Sequence, residues 1–325
     1  MSKYVFGVDI GGTTIKFGLF TVEGELIEKF LVETDTSHEG SKILPDTAKA
    51  ILTKLEEQSL TIADVAGVGV GVPGPVNTDG VVLIGVNINW PKPVAVKEIL
   101  SNLLGIPVNV TNDANIAALG EMWLGAAKGA NNAIMYTLGT GVGGGIIVDG
   151  KVINGTNGAG GEIGHFVAVP EGGAQCGCGK TGCLETVTSA TGISRIAKEK
   201  LIETDAISML HRIPNIEAKD VFDAAKAGDE LALEIVDRVG YYLGLSAANL
   251  AASTDPEQFI FGGGVAYAGD ILLESIRKYY EKYAFASVKN TPFVLATLGN
   301  DAGIIGGAYL ALGWWGGIIQ SIFLR

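Results

Sequence analysis

"YVFGVDIGGTTIKFGLFTVEGELIEKF" (Tyr4–Phe30) decides the fold. It reads as strand, glycine-rich turn, strand, Glu-Gly turn, strand. The same order returns in "AIMYTLGTGVGGGIIVDGKVINGT" (Ala133–Thr156), with an Asp-Gly second turn. Two related units in one chain predict two related α/β lobes. Between them, "ILPDTAKAILTKLEEQSL" reads as a helix and "VAGVGVGVPGPV" as a buried strand entering a Pro-Gly loop. "IPVNVTNDANIAALGEMWLGAA" reads as a strand, a turn and a helix starting near Asp113. Later, "DVFDAAKAGDELALEIVDRVGYYLGLSAANLAAS" predicts one long helical region. "EQFIFGGGVAYAGDILLESIRKYYEKY" predicts a strand, a glycine turn and a helix. With no low-complexity linker, hinges are expected near Asn112–Leu119 and near Asn300. One lobe would then comprise residues 1–118 plus about 300–325, and the other residues 119–299.

The chain has 325 residues, of which 47% are apolar, enough for a substantial core. Its formal charge of -12 disfavours nucleic acid and anionic membranes as partners. The opening "MSKYVFGVDIGG" lacks the apolar run and cleavage site of a signal peptide. Three cysteines in one short window do not form a secreted disulfide framework. A reducing cytoplasm is the simplest location. The uncharged run from Ala302 to Leu324 is long enough to span a bilayer. We read it instead as a buried helix, "AGIIGGAYLAL", followed by an apolar tail containing Trp314 and Trp315.

Three glycine turns suggest phosphate binding. In the first, Gly11 and Gly12 let backbone approach phosphate oxygens, while Thr13, Thr14 and Lys16 add donors. Asp9, at the strand end, suits Mg2+. A plain hairpin turn is the alternative. The second, "GTGVGGG" (Gly139–Gly145), partly mimics a dinucleotide fingerprint, but a strand follows it where that motif needs a helix. The third, Gly262–Gly264, is expected to open a helix whose N-terminus suits an anion. Together the three describe a nucleotide clamped between two lobes.

"AQCGCGKTGCLE" (Ala174–Glu185) holds every cysteine. Ala174 to Thr181 matches a loosened P-loop, but no strand precedes it. Cys-Gly-Cys is not the Cys-x-x-Cys of redox sites. Cys176, Cys178 and Cys183, with His165 upstream, would complete a tetrahedral structural zinc site. Three reduced thiols in a glycine-rich loop are the alternative. Among the acidic residues, Asp113 in "TNDAN" follows a buried strand and opens a helix. It would be an N-cap or a base facing the cleft. Asn112 could orient a hydroxyl, and Glu162 and Glu185 flank the cysteine loop. Carboxylates and amides on rigid loops grip sugar hydroxyls in fixed directions. A hydrolase with two catalytic carboxylates would leave the glycine turns unexplained.

These residues resemble the ROK family of sugar kinases and repressors, and within it the bacterial glucokinases. The marks are "DIGGTTIKFGLF", "GVPGPV", "TNDANIAALGE", "LGTGVGGGIIVDG", "NGAGGEIGH", "CGCGKTGCLE" and "FGGGV". The likeness extends to about Gly313. It implies a duplicated ribonuclease-H-like (actin-like) α/β fold with ATP and sugar in the cleft. It implies phosphorylation of D-glucose to glucose 6-phosphate, with Asp113 as general base. Asn87, Asn112, Glu162, His165 and Glu185 would bind the sugar. His165 would serve zinc and sugar, one ring nitrogen each. Gly11, Gly12, Thr13, Thr14, Thr140, Gly141, Gly263 and Gly264 would line ATP. The resemblance also implies a homodimer or homotetramer. Rival readings are a kinase for mannose, fructose or an N-acetylhexosamine, a sugar-responsive repressor, and an actin-like ATPase. A first strand starting near Lys3 leaves no room for a preceding helix-turn-helix, which weighs against the repressor.

Overall fold

The computed structural model describes residues 3–314. The first sheet runs β3-β2-β1-β4-β5, comprising β1 (Tyr4–Ile10), β2 (Thr14–Thr21), β3 (Leu26–Glu33), β4 (Val65–Val72) and β5 (Val108–Asn112). β1 pairs antiparallel with β2 and parallel with β4. The second sheet runs β10-β9-β6-β7-β8, comprising β6 (Ala133–Leu138), β7 (Val142–Val148), β8 (Lys151–Val152), β9 (Gln258–Gly262) and β10 (Phe293–Leu295). β6 pairs antiparallel with β7 and parallel with β9. The two sheets therefore share one topology, as the repeated strand-turn-strand pattern predicts.

β1, β2, β4 and β5 are mostly buried and β1 and β4 read as apolar runs, whereas the edge strand β3 alternates and is largely exposed. On β1, Phe6, Val8 and Ile10 join a core with the apolar stripe of α2 (Ile43–Glu57) and with α3 (Val96–Leu104). α1 (Ser37–Gly40) before them is one distorted turn, with His38, Glu39 and Gly40 all at positive φ. Val5 turns to the opposite face, against Ile304 and Ala308 of α10 (Ala302–Ala311). α10 also lies against α4 (Asp113–Leu124). Their approach requires glycine: a Cβ on Gly306 would fall 1.6 Å from the Ile116 carbonyl oxygen.

α4 belongs to both halves. It continues β5 directly, yet Ala118, Leu119 and Met122 pack with Ala133, Met135, Ile147 and Ile260 of the second sheet. The expected lobe boundary at residue 118 falls inside this unbroken helix. Glu121, 0% exposed, ties it to the other crossover. Its Oε1 accepts from the Thr297 and Leu298 amides at 2.9 and 2.8 Å, and its Oε2 from the Ala126 amide at 2.8 Å. The segment Thr297–Leu298 joins β10 to α10, so one carboxylate holds both crossings together.

The second half carries α5 (Glu185–Thr188), α6 (Ala190–Glu203), α7 (Ala218–Lys226), α8 (Glu230–Thr254) and α9 (Asp270–Tyr283). The long helical region expected from Asp220 onward consists of two helices, α7 and α8. Gly228, at φ +88, ends the first, and the Asp229 carboxylate caps the second by accepting from the Ala232 amide at 3.0 Å. The helix expected to open at Gly262–Gly264 is also displaced. A 3-10 segment (Gly264–Ala268) follows the turn, and α9 begins only at Asp270. The buried C-terminal helix is present as α10. No helix among the described residues is long and apolar enough to cross a membrane. The apolar tail from Trp315 onward lies outside the described residues.

Candidate active site

A cleft of about 1090 Å³ opens where the two halves meet. Asp9, Gly11, Gly12 and Lys16 line it from the first glycine turn, and Gly139, Gly141 and Gly263 from the second and third. Asn87, Asn112, Asp113, Glu162, His165 and Glu185 also face it. So do Asn300, Ala302 and Gly303, where α10 begins. The N-termini of α4 and α10 therefore meet one cavity, and their helix dipoles favour a negatively charged occupant.

Asp113 occupies its place because β5 ends in a capped turn. Asn112, not Asp113, is the N-cap: its Oδ1 accepts from the Ala114 amide at 2.8 Å. The Asn112 Nδ2 donates to the Gly74 carbonyl at 3.1 Å, fastening the Pro-Gly loop to the helix. The Asp113 side chain is exposed to the cleft yet surrounded by its walls, which partly desolvate the carboxyl. That burial pushes its pKa up to about 6, with the Asp9 and Glu162 charges adding to the rise and the Ala114 amide opposing it. Burial likewise raises Asp9, against the opposing pull of Lys16 at 3.7 Å.

The second half supplies the facing groups. Burial raises Glu162; His165 opposes the rise and Glu185 adds to it. Glu162 Oε2 stands 3.8 Å from His165 Nε2. The other ring nitrogen, Nδ1, lies 3.6 Å from Cys176 Sγ. Glu185 Oε2 accepts from the Val142 amide at 2.9 Å, and its Oε1 faces the Cys176 thiol at 3.5 Å. Glu185 thus joins the second glycine turn to the cysteine loop.

His165, Cys176, Cys178 and Cys183 place their donor atoms within 4.8 Å of one another, so they can hold a metal ion. The loop is folded by its own backbone: the Cys176 amide donates to Lys180 O at 2.8 Å, and Val167 bridges Cys183. All three cysteines are thiols. Burial pushes the Cys176 thiol up to about 12, so a thiolate there needs a cation beside it.

Thr13 and Thr14, expected on the phosphates, are not among the residues lining the cleft. Their backbone carbonyls accept from the Thr34 and Gly11 amides at 2.9 and 3.0 Å and close the turn. Thr140 and Gly264 line an adjoining cavity of about 1020 Å³. Its walls were not legible in the sequence: Thr191, Arg195 and Lys198 of α6, Phe222 of α7, and Tyr267, which is 87% exposed. They come from separate helices, and no motif links them.

A family model described as "ROK family" matches residues 5–313. The chain is 47% identical to a glucokinase of Halalkalibacterium halodurans over 95% of this chain and 94% of that protein. It is similar to the structure of a ROK family glucokinase from Streptomyces griseus in complex with glucose and AMPPNP. That likeness has a TM-score of 0.72 at 36% identity, covering 95% of this chain and 99% of that one. A ROK hexokinase from Thermus thermophilus aligns with a TM-score of 0.80 at 32% identity, covering 97% and 99%. The duplicated sheets, the cleft and the near-complete match together make this chain a member of the ROK family.

Proposed function

We propose that the protein transfers the γ-phosphoryl group of ATP to the 6-hydroxyl of D-glucose. One observation carries this reading: Asp113 opens a helix in a cleft that holds glycine turns on one side and Glu162 and His165 on the other. A sugar gripped by Asn87, Asn112, Glu162, His165 and Glu185 would present its hydroxyl to Asp113. The carboxylate takes the hydroxyl proton as the new O–P bond forms and the bond to the ADP oxygen breaks. Such transfer needs positioning and charge neutralisation more than covalent help. Because the proton leaves late, a carboxylate titrating near 6 is an adequate base.

The phosphates fit the Gly11–Gly12 turn, Gly141 and Gly263, near the N-terminus of α10. Asp9 is an oxygen donor of the kind Mg2+ takes, and the ion would neutralise phosphate charge there. The adenosine fits the adjoining cavity, where Tyr267 offers an exposed aromatic face. Val86 and Ile84, 79% and 45% exposed on the cleft rim, gain cover when the halves close, which excludes water.

The cysteine loop suits zinc. Four donors roughly 2.0–2.3 Å from one ion stand about 3.3–3.8 Å apart in a tetrahedron. Cys176 to His165 and Cys178 to Cys183 are both 3.6 Å. With all four positions filled by protein, the ion would be structural, fixing His165 and the loop between Glu162 and Glu185. His165 Nδ1 then serves the metal, and Nε2 faces Glu162 and the sugar.

The test is ADP release from Mg-ATP with glucose, mannose, fructose or N-acetylglucosamine. Release strongest with glucose supports the reading. Release independent of sugar favours an ATPase, and release strongest with another sugar replaces the substrate.

A further inference from the structure

A largely buried polar cluster joins β5, α4 and the segment after β8, outside the groups assigned above. Thr111 is the penultimate residue of β5 at 0% exposure, Asn115 lies in the first turn of α4 at 2%, and Asn154 follows β8. The Thr111 hydroxyl donates to Asn154 Oδ1 at 2.6 Å. The Asn115 Nδ2 donates to Thr111 Oγ1 at 3.1 Å and to Asn154 Oδ1 at 3.2 Å. Three donated hydrogens close a ring of three side chains. Asn115 Oδ1 is buried with no partner among the described residues. A buried acceptor left unpaired costs roughly 1–3 kcal/mol, so stability alone does not explain an amide here.

The cluster joins two segments that must stay in register. Asn154 is the neck of a loop: its carbonyl accepts from the Gly160 amide at 2.8 Å. The Glu162 amide in turn donates to Ala159 O at 3.4 Å. The loop tip reaches the first half. Gly158, at φ +71, lies so close to Val76 that a Cβ would come within 2.8 Å of its backbone. At the other end of the cluster, Asn115 sits two residues after Asp113 on the same helix.

We infer that Asn154 is a positioning residue: through Thr111 and Asn115 it fixes the loop bearing Glu162 against the helix bearing Asp113. The catalytic consequence rests on the kinase reading; the mechanical one does not. Thr111→Val removes the hydroxyl while keeping shape, and Asn154→Ala removes the acceptor. In both variants, amide hydrogen exchange across Gly155–Glu162 should rise at least about tenfold, while β6 stays protected. The KM for glucose should rise about tenfold or more, since misplacement on the order of 1 Å has large effects, with KM for ATP within about twofold. Thr111→Ser, which restores the donor, should recover both. Unchanged exchange in the loop overturns the inference whatever the substrate. Faster exchange with unchanged glucose KM, or with both KM values rising together, overturns the positioning role. A wild-type protein with no sugar-dependent ADP release defeats the kinase reading alone, and the exchange result still decides the mechanical claim.

Discussion

The two sheets repeat one topology, but only their scaffold is duplicated. In the first, Asp9 pairs with Lys16 beside the glycine turn; the matching pair in the second is Thr137 with Gly143. α4 begins with Asp113, whereas α10, which follows the matching edge strand, begins with Ala302. The third strand is eight residues long in the first half and two in the second. That early end releases the chain into the loops carrying Glu162, His165 and the cysteines. One half thus contributes Asp9 and, through α4, the proposed base Asp113, while the other contributes Glu162, His165, Glu185 and the cysteines proposed for sugar and metal. Chemistry at the seam needs both.

The sharpest way to break this contrast is Asp113→Asn. It keeps the fold and the Asn112 cap but removes the base, and kcat should fall by about 10²–10⁴ with glucose binding retained. Turnover near wild type would remove Asp113 from that role. Cys178→Ala tests the loop that the short third strand releases. Metal content by elemental analysis should fall to near zero, and glucose KM should rise about tenfold or more; metal-free protein with normal kinetics would sink the structural-metal claim. Glu121→Ala tests the tie between the crossovers. It leaves the Thr297, Leu298 and Ala126 amides without their acceptor, and chemical denaturation should show a loss of roughly 3 kcal/mol. A loss below ~1 kcal/mol would show that the crossings do not depend on it.

The pH dependence is the mildest test. A general base works only when deprotonated, and burial raises the Asp113 carboxyl to about 6. Below that value kcat/KM should fall about tenfold per pH unit, with the loss removed as pH rises through it. A rate constant flat from pH 7 to pH 5 would contradict the assignment.

Much of this seam was legible in the sequence, because its parts are local. Strand-turn-strand runs expose their period, and Asp113 stands where a buried strand meets a helix. The close spacing of Cys176, Cys178 and Cys183 points to a metal loop or to three reduced thiols, and the fold brings their donor atoms and that of His165 within 4.8 Å of one another. What escaped depends on distant residues. Asn112 rather than Asp113 caps α4, a choice settled by backbone angles at the helix start. The 3-10 segment after Gly263 interrupts a pattern that otherwise reads as helix. Arg195 and Tyr267, 72 residues apart, line the second cavity together only in the folded chain. Asn154 likewise lies 43 residues from Thr111 and 39 from Asn115, too far along the chain to read as one cluster with them.

The most direct test compares glucose with 6-deoxyglucose as acceptors for Mg-ATP. The account predicts glucose-dependent ADP formation with glucose 6-phosphate as product. It predicts none with 6-deoxyglucose, which should instead compete with glucose for the cleft. Equal ADP formation with both sugars would contradict transfer to the 6-hydroxyl.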